Sequence, residues 1–120
     1  MIRKYRELTR LEMEQVDKEE TIVLIPVGAL EQHGNQAPLG TDDIIAEAMV
    51  EYLGKALEEA GEADFPILAF PVIPVGLSTE HKNFCGSITL KPDTYYHLLY
   101  DISESLYRHG FRKIAFLVCH

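Results

Sequence analysis

Cysteine is scarce in this sequence. Cys85 and Cys119 stand 34 residues apart, each in or beside an apolar stretch, and form neither a disulfide framework nor a CxxC metal site. That usage fits a reducing compartment, and the expected location is the cytoplasm. Long apolar runs are also missing. None reaches the ~20 residues of a membrane span, and Met1-Ile2-Arg3-Lys4-Tyr5-Arg6 offers no apolar signal core. An excess of positive charge is absent as well. Eleven Lys and Arg stand against 19 Asp and Glu, a net charge of −8, which repels phosphate backbones and anionic lipid and argues against nucleic-acid or membrane partners. The short basic clusters Arg3-Lys4-Arg6 and 108–113 read as solvated surface. There is no internal repeat, no Gly/Ser linker, no Walker or dinucleotide phosphate loop and no Gly-x-Ser-x-Gly nucleophile elbow. A nucleotide-binding fold and a serine acyl-enzyme both lose their support.

What is present is a chain of 120 residues, 47% apolar and 25% charged, enough for one core and one domain over residues 1–120. Hydrophobic period and punctuation divide it. A short helix is expected over 9–18, followed by a β-branched run over 21–27 that reads as a strand buried on both faces. A loop runs over 28–40. Thr41 and Asp42 then supply an N-cap and a first-turn acid for a helix of about five turns. Its expected core stripe is Ile45, Met49, Leu53, Ala56, Leu57 and Ala60. Gly61 stops it. A second strand is expected over 65–73, then a long loop over 74–91 with a short strand at 87–90. Pro92 opens a third helix lined by Tyr95, Leu98, Leu99, Ile102 and Leu106 and stopped at Arg108-His109-Gly110. A third buried strand covers 113–119. The order α-β-α-β-α-β implies an α/β fold of βαβ units, a parallel sheet with helices on both faces.

In such sheets ligands gather beyond the carboxyl ends of the strands. Directly after the first long strand comes Gly28-Ala29-Leu30-Glu31-Gln32-His33-Gly34; if extended, it projects Glu31 and His33 to one side. Asp42 follows at a helix mouth, where free N–H groups favour an anion, and His120 arrives from the third strand. Two carboxylates and two imidazoles converging there suit zinc, manganese or iron. His81 in the long loop falls just past a strand end and is a further candidate for the same pocket. His97 and His109 need no role beyond a helix face and a helix end. Cys119 reads as a small core residue rather than a nucleophile.

The segment Ile25-Pro26-Val27-Gly28-Ala29-Leu30-Glu31-Gln32-His33-Gly34, with Pro38-Leu39-Gly40-Thr41-Asp42 after it, resembles the signature of the creatininase (creatinine amidohydrolase) family. Two further segments agree. Ser78-Thr79-Glu80-His81, with Phe84, Gly86 and Leu90, resembles the family's loop before the third helix, and 106–120 resembles its approach to an Asn-Gly-His-Gly-Gly-Asn motif. Asn35-Gln36-Ala37 stands where the family usually has a His, and Val118-Cys119 replaces Asn-Gly. The resemblance implies a three-layer α/β fold, incomplete on its C-terminal side because family members are about twice as long, so that the chain is the N-terminal half and its third strand an open edge. It implies two divalent metal ions: Glu31 on one, His33 on the other, Asp42 bridging, His120 joining the first. It places Ser78 at the substrate and gives Glu80 and His81 catalytic roles beside it. Homo-oligomers, commonly hexamers, are expected.

The resulting expectation is a metal-dependent amidohydrolase that splits a C–N bond of a small amide, either cyclic or, as in deformylases of flavin and deazaflavin synthesis, a formylamino-pyrimidine. The rival is a non-catalytic metal-binding or interaction subunit that keeps only half the site.

Overall fold

The computed structural model describes residues 1–120. Four strands, β1 (Arg3–Lys4), β2 (Ile22–Val27), β3 (Ile67–Ala69) and β4 (Lys113–Val118), pair in the order β1-β3-β2-β4, all parallel. Between them lie α1 (Arg10–Glu14), α2 (Thr41–Glu59) and α3 (Pro92–Arg108). The chain moves from β2 to β3 in one direction and from β3 to β4 in the other, so right-handed crossovers place α2 on one face and α3 on the opposite one. This is the expected α/β class.

The core follows from strand alternation. Val23, Ile25 and Val27 face α3 and form one cluster with Leu68, Ile73, Leu106 and Phe111. Tyr5, Met13, Leu98 and Ile102 close over it, with the Tyr5 ring 5.2 Å from that of Phe70. Leu24 and Pro26 point the other way, toward α2, where Ala46 is fully buried.

Several expected elements differ. The side chains of Arg3 and Arg6 are solvated as expected, but two residues are too few to show a period, and the backbone of Arg3 and Lys4 forms β1 by pairing with Leu68 and Ala69. α1 stops at Glu14 rather than at residue 18, and the Lys18 ammonium caps the carbonyls of Glu14 and Val16. β3 is three residues long because Pro66 and Pro71 lack the N–H that a ladder requires; pairing resumes at Ile73, whose N–H donates to Pro26. The expected strand at 87–90 reduces to two isolated bridges, Leu30 with Ile88 and Gly76 with Thr89. β4 lies at the sheet edge and is not buried on both faces, with Val118 69% exposed. On α2 the buried positions are Asp42, Ala46 and Gly54, whereas Ile45 and Met49 of the expected stripe face outward. No helix is long and apolar enough to cross a membrane.

Candidate metal centre

β2 delivers the chain to the carboxyl edge of the sheet, and the segment after it carries the first ligands. Val27 accepts from the Cys119 N–H, so β2 and β4 stay zipped up to the point where their side chains turn polar. Gly34, at φ 73, makes a turn that L-residues resist. Gly28 is required by close approach: a Cβ there would sit 1.9 Å from Asp43 Oδ1 and 3.1 Å from the Asp43 Cα. A bare backbone at residue 28 therefore lets the mouth of α2 dock onto the end of β2. Gly40, not Thr41, is the α2 N-cap, and the Thr41 hydroxyl turns back to the Pro38 carbonyl. Asp42 is thereby held in the first turn, as expected.

Glu31, His33 and Asp42 present ligand atoms all within 4.8 Å of one another. Glu31 and Asp42 are only 2% and 5% exposed. His33 Nδ1 donates to the Glu31 carbonyl at 2.9 Å, which leaves Nε2 as the lone-pair nitrogen, 3.2 Å from Asp42 Oδ1. Two lone pairs facing each other repel unless a proton or a metal cation lies between them. His120 Nδ1 is 2.6 Å from Glu31 Oε1 and 3.5 Å from Asp42 Oδ2. Glu31 Oε2 and Asp42 Oδ2 are buried with no hydrogen-bond partner. Buried carboxylate oxygens without a donor are costly, and a divalent cation satisfies both at once. The donor set, two carboxylates and two imidazoles, is that of zinc, manganese or iron. The residues fit a metal.

The hydrogen bond to the Glu31 carbonyl, helped by the Asp42 and Glu31 charges, raises the His33 pKa against a smaller opposing effect of burial. Burial and the Asp42 charge push the Cys119 thiol up, away from the nucleophilic thiolate. That agrees with its reading as a packing residue.

The four expected metal residues are thus brought together. Ser78 is completely buried with its hydroxyl unpartnered, at the start of a 3₁₀ turn over Thr79–His81. His81 Nδ1 lies 3.0 Å from Gln32 Nε2, tying that loop to the residue between Glu31 and His33. Glu80 is exposed and makes no hydrogen bond to the cluster. His97 and His109 are exposed on α3 and at its end, as expected. Sequence reasoning missed two residues. Asp43, whose Oδ1 is buried without a partner, is raised to about 6 by burial and by the charges of Asp42 and Glu47, against the pull of the Ala29 backbone. Gln32 was the other, and the same period of two that aligns Glu31 with His33 signals that it points to the opposite side. Cavities of about 330 and 350 Å³ exist elsewhere on the chain, but neither is lined by a residue of this cluster.

Comparison with known proteins gives these features a context. The model of the creatininase family, described as creatinine amidohydrolase, matches residues 6–120. A mycofactocin precursor peptide peptidase from Mycolicibacterium smegmatis is 40% identical over 70 residues, covering 58% of this chain and 27% of that protein. A creatinine amidohydrolase from Pseudomonas putida is 30% identical over 115 residues, 95% of this chain and 43% of the relative. Among solved structures, a mutant creatininase complexed with creatine superimposes with a TM-score of 0.80 at 26% identity, covering 97% of this chain and 44% of the other. A creatininase described as the Mn form and a mutant described as Zn-Zn type match with TM-scores of 0.80 and 0.79, at 25% and 26% identity, over the same shares of each chain. The chain spans less than half the length of each of these relatives.

Proposed function

The chain belongs to the creatininase family, and from that premise we propose that residues 1–120 form the N-terminal half of a metal-dependent amidohydrolase domain that hydrolyses a C–N bond. The observation that carries the proposal is the pair of buried, unpartnered carboxylate oxygens on Glu31 and Asp42, set against the lone-pair nitrogen of His33 and the ring of His120. Asp42 has one oxygen toward His33 and the other toward His120, so it would be the carboxylate shared if two divalent ions were held there. Ions held there would supply Lewis acidity, activating water and polarising the amide carbonyl. The chain's own residues do the rest. The Glu31 carbonyl fixes the His33 tautomer, and Ser78, whose buried hydroxyl has no partner within the chain, is assigned with His81 of the same loop to the substrate side. Glu80, though exposed, belongs to the same turn and is assigned to the substrate side. A hydrolase of this kind is expected to work in the cytoplasm as a homo-oligomer.

A small cyclic amide such as creatinine is the first substrate class, supported by the match to creatinine amidohydrolase along 95% of the chain. A peptide bond is the second, favoured by the higher identity, 40%, to a peptide peptidase. A formylamino-pyrimidine satisfies the same chemistry.

The test is elemental analysis of the purified protein beside Asp42→Ala, followed by hydrolysis assays on creatinine, a formylamino-pyrimidine and short peptides. We expect close to two divalent ions per chain, lost in the variant together with amide cleavage. Metal and cleavage that survive in Asp42→Ala would overturn the assignment. Metal bound without cleavage of any of the three would favour a metal-binding subunit.

A further inference from the structure

Gln32 lies between two metal-type residues but points away from both, and its contacts decide the chemistry of a third residue. Its side-chain oxygen accepts from the Gly34 N–H at 3.0 Å. A backbone N–H can only donate, so that atom must be the carbonyl oxygen and the other must be the NH₂ group. The NH₂ group faces His81 Nδ1 at 3.0 Å. An NH₂ group can only donate, so Nδ1 must accept, and the proton of the neutral ring must sit on Nε2. The residue's main chain is anchored as well, because the Gln32 backbone N–H donates to the Ser87 hydroxyl at 3.0 Å. The orientation of the amide is thus set by one backbone group, the Gly34 N–H, and transmitted to a residue 49 positions away.

We propose that Gln32 is a positioning residue that locks His81 in the Nε2–H tautomer and so presents a hydrogen-bond donor, rather than a lone pair, at the free edge of that ring. His81 Nε2 has no partner within the chain. An Nε2–H edge binds an acceptor such as a carbonyl oxygen; an Nε2 lone pair would compete for metal instead. The lock therefore separates the roles of the two histidines. His33, bonded through Nδ1–H to a carbonyl, offers a nitrogen lone pair to a cation, whereas His81 offers a proton to a substrate oxygen. The use made of that proton rests on the amide-hydrolase reading; the tautomer does not.

The experiment is long-range ¹H–¹⁵N correlation of the imidazole rings in the metal-free protein at a pH where His81 is neutral. It needs neither metal nor turnover, so its failure is distinct from failure of the hydrolase assignment. In the wild-type chain His81 should show a protonated, pyrrole-type Nε2 and a pyridine-type Nδ1. In Gln32→Glu, which keeps an acceptor for Gly34 but removes the donor to Nδ1, the pattern should invert to Nδ1–H. A wild-type ring protonated on Nδ1 overturns the proposal, and this measurement stands even if the variant does not fold. A folded Gln32→Glu protein that keeps the wild-type pattern overturns it too.

Discussion

At Asp43, a carboxyl group two residues beyond Thr41, burial and the neighbouring charges of Asp42 and Glu47 raise the pKa from 3.8 to about 6. A raised acid binds its proton more tightly in the folded chain than in the unfolded one. The folded state is therefore favoured below about pH 4, and the advantage disappears as pH rises through about 6. Asp43→Asn removes the charge with little change of shape. Thermal melts of the metal-free chain should show the variant equal to wild type near pH 4 and several degrees more stable above pH 6; equal melting temperatures at both ends would contradict the burial argument. The residues of the centre were readable from type and place: Glu31, His33 and Asp42 follow from a strand end and a helix mouth. Asp43 and Gln32 were not, because their roles depend on Gly28 letting two backbones touch and on a loop 49 residues distant.

The short helix α1 shows how little sequence can hold an element in place. Thr9 accepts from the Glu12 N–H at 3.1 Å and the Glu12 carboxylate accepts from the Thr9 N–H at 3.0 Å, a reciprocal capping box on a five-residue helix. The helix has no buried residue of its own, although Met13 packs at the margin of the core. Thr9→Ala should lower the unfolding free energy by about 1 kcal/mol in urea titration, a larger effect than an ordinary exposed substitution gives. The long elements were legible because their punctuation is chemical: Pro92 at the first turn of α3, and Gly110 at φ 111 just past its end. β1 and the ends of β3 were not. Their limits come from pairing partners and missing proline N–H groups rather than from any period.

Taken whole, the molecule is looser than its size requires. The Cα radius of gyration is 15.8 Å, against about 13–14 Å for a compact chain of this length. The accessible surface is 7827 Å², against roughly 6,600 Å² for a globular protein of this mass. Ile44, Ile45, Met49 and Tyr52 on α2 and Phe116 and Val118 on β4 account for part of the excess. An edge strand carrying such residues, taken as residues 1–120 alone, offers unpaired N–H and C=O groups to any further strand, whether from the remainder of a longer protein or from a second chain. Sedimentation velocity over a concentration series should show the 120-residue protein self-associating, and Val118→Lys should shift it toward monomer while changing stability by no more than about 0.5 kcal/mol. Unchanged association would place the contact elsewhere, with the α2 face next in line.

His120 sits two residues past the last paired position of β4, where Val118 is aligned with Val27. A slip of one residue along β2 would send its ring to the other face of the sheet, and a slip of two would carry it about 7 Å from Glu31. The imidazole is thus a vernier on strand alignment. A cation that Glu31, Asp42 and His120 held together would fit only the correct alignment, so each increment of its binding free energy would become a penalty on every misaligned sheet. The ion would proofread the pairing of β4, which has only β2 to hold it.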